Sequence, residues 1–213
     1  MKAVIFDLDG TLVDVSESIF WQYETLTREF NGVQASREAI AAVLKNTPDD
    51  SLRQLVTNFR APIEQVRRRH DELHAASLDR LRLYPHVIEL LPILNRLGVR
   101  VGVIAIDNRD TIKHLERLGA LPYVQALIPV DRVAHQEEGT RELAIKLALR
   151  ELDVLPHEAM VVGDMPEDIL AGKAAAVYGT VGITHGFGAP VALRDAGADH
   201  LVQDIPSLLD VLG

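Results

Sequence analysis

The chain has 213 residues, enough for one large domain or for a core domain with a smaller insertion. Its 47% hydrophobic and 25% charged content is that of a globular protein with ample core material, and a net charge of −9 argues against a nonspecific nucleic-acid partner, which needs a basic face to displace counterions. With no cysteine, disulfides, thiolate catalysis and thiolate metal sites are excluded together.

In chain order, residues 3–6 read as a first buried strand. The N-terminal MKAVIFDLDG carries one Lys and a short apolar run that meets acids by residue 7, unlike a secretory leader. No segment reaches the ~18 apolar residues of a membrane span, so a cytoplasmic protein without a membrane partner is expected. Residues 15–81 then break the strand–helix rhythm. Ser16 is placed to cap a helix whose apolar positions Ile19, Phe20, Tyr23, Leu26 and Phe30 follow helical spacing. Residues 36–44, 48–59 and 62–81 read as further helices. His70 and His74, four apart on the last of these, read as exposed helix residues, and the Arg67-Arg68-Arg69 run as a solvated face.

Beyond residue 82 the pattern alternates. Strands are expected at 99–106, 126–129, 159–162, 180–183 and 200–202, and helices at 85–97, 110–118, 140–152, 166–175 and 206–212. Short Val- and Ile-rich runs alternating with helices imply an α/β fold, a Rossmann-like, mostly parallel sheet with helices on both faces. The expected organisation is a core domain from 1–14 and 82–213, interrupted after the first strand by an all-helical insertion at 15–81.

The chemistry concentrates in VIFDLDGTLVD, from Val4 to Asp14. An apolar strand ends in Asp7, at the carboxyl edge where open α/β sheets place ligands, and Gly10 permits a tight turn after Asp9. One carboxylate can attack phosphorus. The second can pass a proton to the leaving oxygen and later activate water. A second strand, at 159–162, leads through Gly163 into Asp164, with Asp168 four residues on. Carboxylates converging from two strand ends repel one another unless a cation neutralises them, which points to Mg²⁺.

The first segment resembles motif I of the haloacid dehalogenase-like (HAD) hydrolase superfamily, most of whose members are phosphatases, and GDMPED from Gly163 to Asp168 is similar to that family's motif IV. The resemblance implies Asp7 as nucleophile, Asp9 as general acid/base and backbone metal ligand, and Thr11 as support of the turn. It implies Asp164 as metal ligand and Asp168 as a ligand or its partner. The insertion is placed like the family's type-1 helical cap, which closes over the site. Tyr84-Pro85-His86-Val87 is similar to the segment re-entering the core, and Thr184-His185-Gly186-Phe187-Gly188 resembles the phosphoglycolate phosphatase-like branch. The implied reaction is Mg²⁺-dependent hydrolysis of a small phosphorylated metabolite through an aspartyl-phosphate.

Two parts of the family pattern are missing. Ala105 stands where motif II has a Ser or Thr, and no Lys stands where motif III has one. Asn108 and Arg109 follow closely enough to contact phosphate, Arg141 can donate charge from a shifted position, and Lys146 reads as a solvated helical residue. Lys45, Asn46 and Arg53 are candidates for substrate contacts from the insertion. The expected phosphate-binding set is therefore Gly10, Asn108 and Arg141, and the metal set Asp7, Asp9, Asp164 and Asp168. Two other readings stay open: a catalytically weakened ligand- or partner-binding member, and a phosphomutase that shelters the same intermediate from water. The oligomeric state is left open.

Overall fold

The computed structural model describes residues 1–44, 48–57, 61–105, 111–129 and 139–212. They fall into two compact units, Met1–Asp14 with Arg82–Gly213, and Val15–Leu81. The first unit carries β1 (Ala3–Asp7), β2 (Val13–Asp14), β3 (Arg82–Leu83), β4 (Arg100–Ala105), β5 (Ala126–Pro129), β6 (Ala159–Gly163), β7 (Gly179–Ile183) and β8 (His200–Val202). Six of these form one sheet in the order β5-β4-β1-β6-β7-β8, with every neighbouring pair parallel. From β1 the chain builds outward through β4 and β5 on one side, then through β6, β7 and β8 on the other. The strand order therefore reverses beside β1, and the crevice at the carboxyl ends of β1 and β6 is the topological switch point where such sheets bind ligands. The β2–β3 pair is a separate antiparallel ribbon that the sequence reading did not anticipate. At two residues per strand it is too short to show a period.

Among the described residues every regular element of the Val15–Leu81 unit is helical: α1 (Ser16–Asn31), α2 (Arg37–Val43), α3 (Pro48–Leu55) and α4 (Ile63–Ala76). Its core gathers Tyr23, Leu26, Ile40, Leu52, Val66 and Leu73, with Ile19, Phe20, Trp21 and Phe30 packed against it. Ser36 caps α2 as its side chain accepts from Ala39 N, but Ser16 does not cap α1. Val15 is the residue before the helix, its carbonyl accepts from Ile19 N, and Ser16 is already helical.

The helix expected to run to residue 81 stops at Ala76. Ser77 Oγ donates to the His74 carbonyl at 2.8 Å and lies 2.6 Å from Ser18 Oγ, with Gln22 Nε2 donating to both hydroxyls. A local side-chain bond competes with the helical ladder, and this buried polar cluster holds it in place; a 3₁₀ turn, Leu78–Arg80, follows. His70 and His74 are half-buried rather than exposed. The His70 ring packs 5.2 Å from Tyr23, centroid to centroid. In the arginine run, Arg67 pairs with Asp49 and Arg69 with Glu29 and Glu72, while Arg68 is exposed.

Back in the first unit, α5 (Val87–Arg96), α6 (Thr111–Arg117), α7 (Thr140–Glu151), α8 (Pro166–Ala174), α9 (Pro190–Asp195) and α10 (Ile205–Leu212) surround the sheet. Helix α7 packs on β4 and β5, and α8 on β6 and β7. Ile145, Ala148 and Leu149 of α7 share one core with Ala3, Ile5, Ile104 and Val161. Val4 and Phe6 point to the opposite face of β1 and are also fully buried, so both faces of the sheet are covered. Asp199, ahead of β8, accepts from both Thr180 N and Thr180 Oγ1 at 2.8 Å and ties the outer strands together.

Candidate active site

β1 and β6 run in parallel register to the Phe6–Val162 pair, so Asp7 and the residues after Gly163 emerge together at the carboxyl edge. Beyond Asp7 the chain folds into a closed turn. Gly10 N donates to Val13 O at 2.8 Å, and Leu12 N and Val13 N both donate to Leu8 O at 2.9 Å. Gly10 sits at φ +91°, where a side chain is strained, and a Cβ there would come within 2.4 Å of Asp164 Oδ2. The turn can therefore press its backbone against the second acidic segment only because residue 10 has no side chain.

Asp164 is fully buried and held at both oxygens. Thr11 Oγ1 donates to Oδ1 at 3.0 Å, and Phe187 N to Oδ2 at 2.7 Å. Asp168, in the first turn of α8, accepts from Met165 N at 3.0 Å through Oδ2. Arg141, one residue into α7, donates through Nη1 to Asp7 Oδ1 at 3.3 Å and to Asp168 Oδ1. Asp7, Asp164 and Asp168 each offer an oxygen within 4.8 Å of the others. Asp9 is partly exposed on the same turn.

These carboxylates resist ionisation. Burial pushes the Asp7 carboxyl well above its ordinary range; the charges of Asp168, Asp164 and Asp9 add to this and Arg141 opposes it. Burial likewise pushes Asp168 up to about 6 against the pull of Arg141, and raises Asp164 against its hydrogen bonds from Phe187 and Thr11. One guanidinium among three buried acids leaves negative charge in excess. Hard oxygen donors at this spacing suit a small divalent cation, which would lower all three pKa values.

The sequence-predicted residues divide clearly. Asp7, Gly10, Arg141, Asp164 and Asp168 come together, with Asp9 on the same turn. Ala105 ends β4, fully buried, one residue past the Ile104 that pairs with Asp7, and carries no hydroxyl. Lys146 is exposed and bound to Glu142 at 2.5 Å, four residues back on the same helix. Arg53 is exposed on α3. Asn108 and Arg109, like Lys45 and Asn46, lie outside the described residues. Sequence reasoning missed His185, whose Nε2 lies 3.0 Å from Thr11 O and whose ring stacks on Tyr84 at 3.7 Å. The available signal was a glycine-flanked segment directly after a strand that ends at the same edge as β1 and β6.

A family model described as haloacid dehalogenase-like hydrolase matches residues 4–181, which includes both acidic segments, Ala105 and Arg141. The chain belongs to the haloacid dehalogenase-like hydrolase family. This HAD member is 28% identical to the pyrophosphatase PpaX of Bacillus pumilus, over 100% of this chain and 97% of that protein. It is also 28% identical to the phosphoglycolate phosphatase of Haemophilus influenzae, over 99% and 98%. Among solved structures it matches a proposed beta-phosphoglucomutase from Thermotoga maritima (TM-score 0.86, 24% identity, 100% and 98% covered). It matches equally fully a haloacid dehalogenase-like hydrolase from Streptococcus pneumoniae (TM-score 0.83, 21% identity, 100% and 99% covered). At these identities the structural matches speak for the fold, the mostly parallel α/β sheet derived above. The family is the one its aspartate motifs resemble, and it makes the chain a hydrolase.

Proposed function

We propose that this HAD member is a magnesium-dependent phosphatase that releases phosphate from a small phosphorylated metabolite through a phosphorylated Asp7. The observation that carries the reading is the meeting of Asp7, Asp164 and Asp168 with Arg141 at the switch point of the sheet. Asp7 and Asp164, with the Asp9 backbone, would hold the cation. Asp168 has the guanidinium of Arg141 on one oxygen, so it serves better as the anchor for that arginine than as a direct ligand. When bound, Mg²⁺ supplies positive charge beside the phosphoryl oxygens and the nucleophile.

Asp7 attacks phosphorus as the bond to the leaving oxygen breaks, and Asp9 donates the proton that oxygen needs. Asp9, now ionised, takes a proton from water as the water attacks the aspartyl-phosphate, which frees phosphate and restores Asp7. Arg141 offsets repulsion between Asp7 and the incoming anion. The core role falls to 1–14 and 82–213, and the role of substrate-selecting cap to 15–81. The absence of cysteine suits a cytoplasmic setting; among the described residues no helix is long and apolar enough to cross a membrane.

The relatives named for pyrophosphate and phosphoglycolate support a small, anionic substrate class. Phosphate release from p-nitrophenyl phosphate, pyrophosphate and phosphoglycolate, with Mg²⁺ and with excess chelator, tests the reading. We expect turnover that stops on chelation; release that ignores the chelator rejects the metal, and no release from any substrate rejects the phosphatase.

A second reading, a ligand-binding member with weakened catalysis, is favoured by Ala105 alone. An absent hydroxyl donor at a phosphoryl site commonly costs ~10²–10³ in rate. Restoring it in Ala105→Ser is expected to raise kcat for p-nitrophenyl phosphate by up to ~10²-fold, the lower end of that range. A variant no faster than the parent would show that another group already fills this role.

A further inference from the structure

The segment after β7 closes a ring of contacts around Asp164. Thr184 N donates to Val202 O at 2.9 Å, which anchors the start of the segment to β8. His185 Nε2 lies 3.0 Å from the Thr11 carbonyl. A carbonyl can only accept, so this nitrogen carries the proton. Thr11 Oγ1 in turn holds Asp164 Oδ1, and Phe187 N, two residues past His185, holds Asp164 Oδ2. A Cβ on Gly186 would come within 2.3 Å of Asp164 Oδ2, so the strap lies directly against the carboxylate. The His185 ring is fixed from outside: it stacks on Tyr84 with an interplanar angle of 15°, Tyr84 Oη reaches the His185 carbonyl at 3.4 Å, and Tyr84 N donates to Leu12 O at 3.0 Å. Both ends of the strap thus orient one carboxylate, one directly and one through Thr11.

We propose that His185 is a positioning residue, clipping the Asp9–Thr11 turn to the strap so that Asp164 and the turn present their oxygens to one divalent cation. The proposal rests on the metal reading above. Groups that orient a metal ligand without touching the metal commonly contribute ~10–100-fold in metal affinity. The ring and the donor can be separated. His185→Phe keeps an aromatic ring for Tyr84 and loses the N–H, whereas His185→Gln keeps an N–H at similar reach and loses the ring.

Mg²⁺ titration of the full-length protein by calorimetry, without substrate, with thermal melting of each variant alongside, reads the two roles apart. Expected is a ~10-fold or greater weakening of Mg²⁺ binding in His185→Phe at a melting temperature close to the parent's, with His185→Gln recovering most of the affinity. Parent-like Mg²⁺ affinity in His185→Phe overturns the proposal while leaving the metal site standing. Equal weakening in both variants shows that an N–H at this reach does not restore binding and overturns the clip, and weakening in His185→Gln alone assigns the effect to the stacked ring and overturns it too. Absence of Mg²⁺ binding in the parent protein overturns the metal reading itself, and the clip with it.

Discussion

Asp7→Asn is expected to abolish phosphate release, by on the order of 10⁴–10⁶ in kcat, while Mg²⁺ still binds with reduced affinity. Asparagine keeps the shape of the side chain and removes the oxygen nucleophile, and loss of the nucleophile from a group that acts as a unit costs about as much as loss of the whole set. The substitution tolerates burial. Asp7 is 6% exposed, and its carboxyl is held well above its ordinary range chiefly by burial, so a neutral side chain suits the metal-free core. The variant should melt at or above the temperature of the parent in chelator. Steady-state release from p-nitrophenyl phosphate is the measurement, with labelled phosphate trapped on the protein after acid quench as a second readout. Parent-like turnover in Asp7→Asn rejects this nucleophile outright.

Arg141→Met should lower kcat by ~10²–10³, the range for removing one positioned charge partner of a developing anion, and Arg141→Lys should restore part of it. The chain lacks the lysine of its family's pattern, and Arg141, at a shifted position, reaches both Asp7 and Asp168 through Nη1. A lysine brings the charge on a flexible stem without the planar fork, so recovery should be incomplete.

The same change has a pH signature in the metal-free protein. Asp168 titrates at about 6 in the folded chain because burial outweighs the attraction of Arg141, and near 3.9 in an unfolded one. A carboxyl with a raised folded pKa contributes stability that is complete below the unfolded value and is lost as pH rises through the folded one. Removing Arg141 raises the folded value further. The penalty of Arg141→Met should therefore be small near pH 4 and grow through pH 6 and above. Chelated protein melted across pH 4–8 checks this; a penalty independent of pH would show that Arg141 acts by packing alone.

The architecture was largely legible from residue order, and the reasons are local. The central strands β1, β4, β6 and β7 are short runs buried on both faces, and Gly98, Gly119 and the prolines at 166 and 206 mark helix ends close to where they fall. Where sequence reading failed, the controlling group was remote or the element too short for a period. Ser77 ends α4 because it meets Ser18 and Gln22 far along the chain. The β2–β3 ribbon and the six-residue α9 are too brief to show a pattern.

For the active centre the division follows the range of the interactions. Residue order alone determined that two strands end in aspartates, that a glycine follows the first pair, and that a serine or threonine and a lysine are missing. These are properties of short segments, each carried by its own backbone geometry. Only tertiary structure decided that Arg141 stands between Asp7 and Asp168, and that Thr11 and the 184–188 strap hold Asp164 from both sides. Those contacts join residues 134, 27, 153 and 23 positions apart, and their existence depends on which strands the sheet sets side by side. A cation's partner can sit on any helix that reaches the crevice, and charge acts through space, so chain spacing carries no record of it.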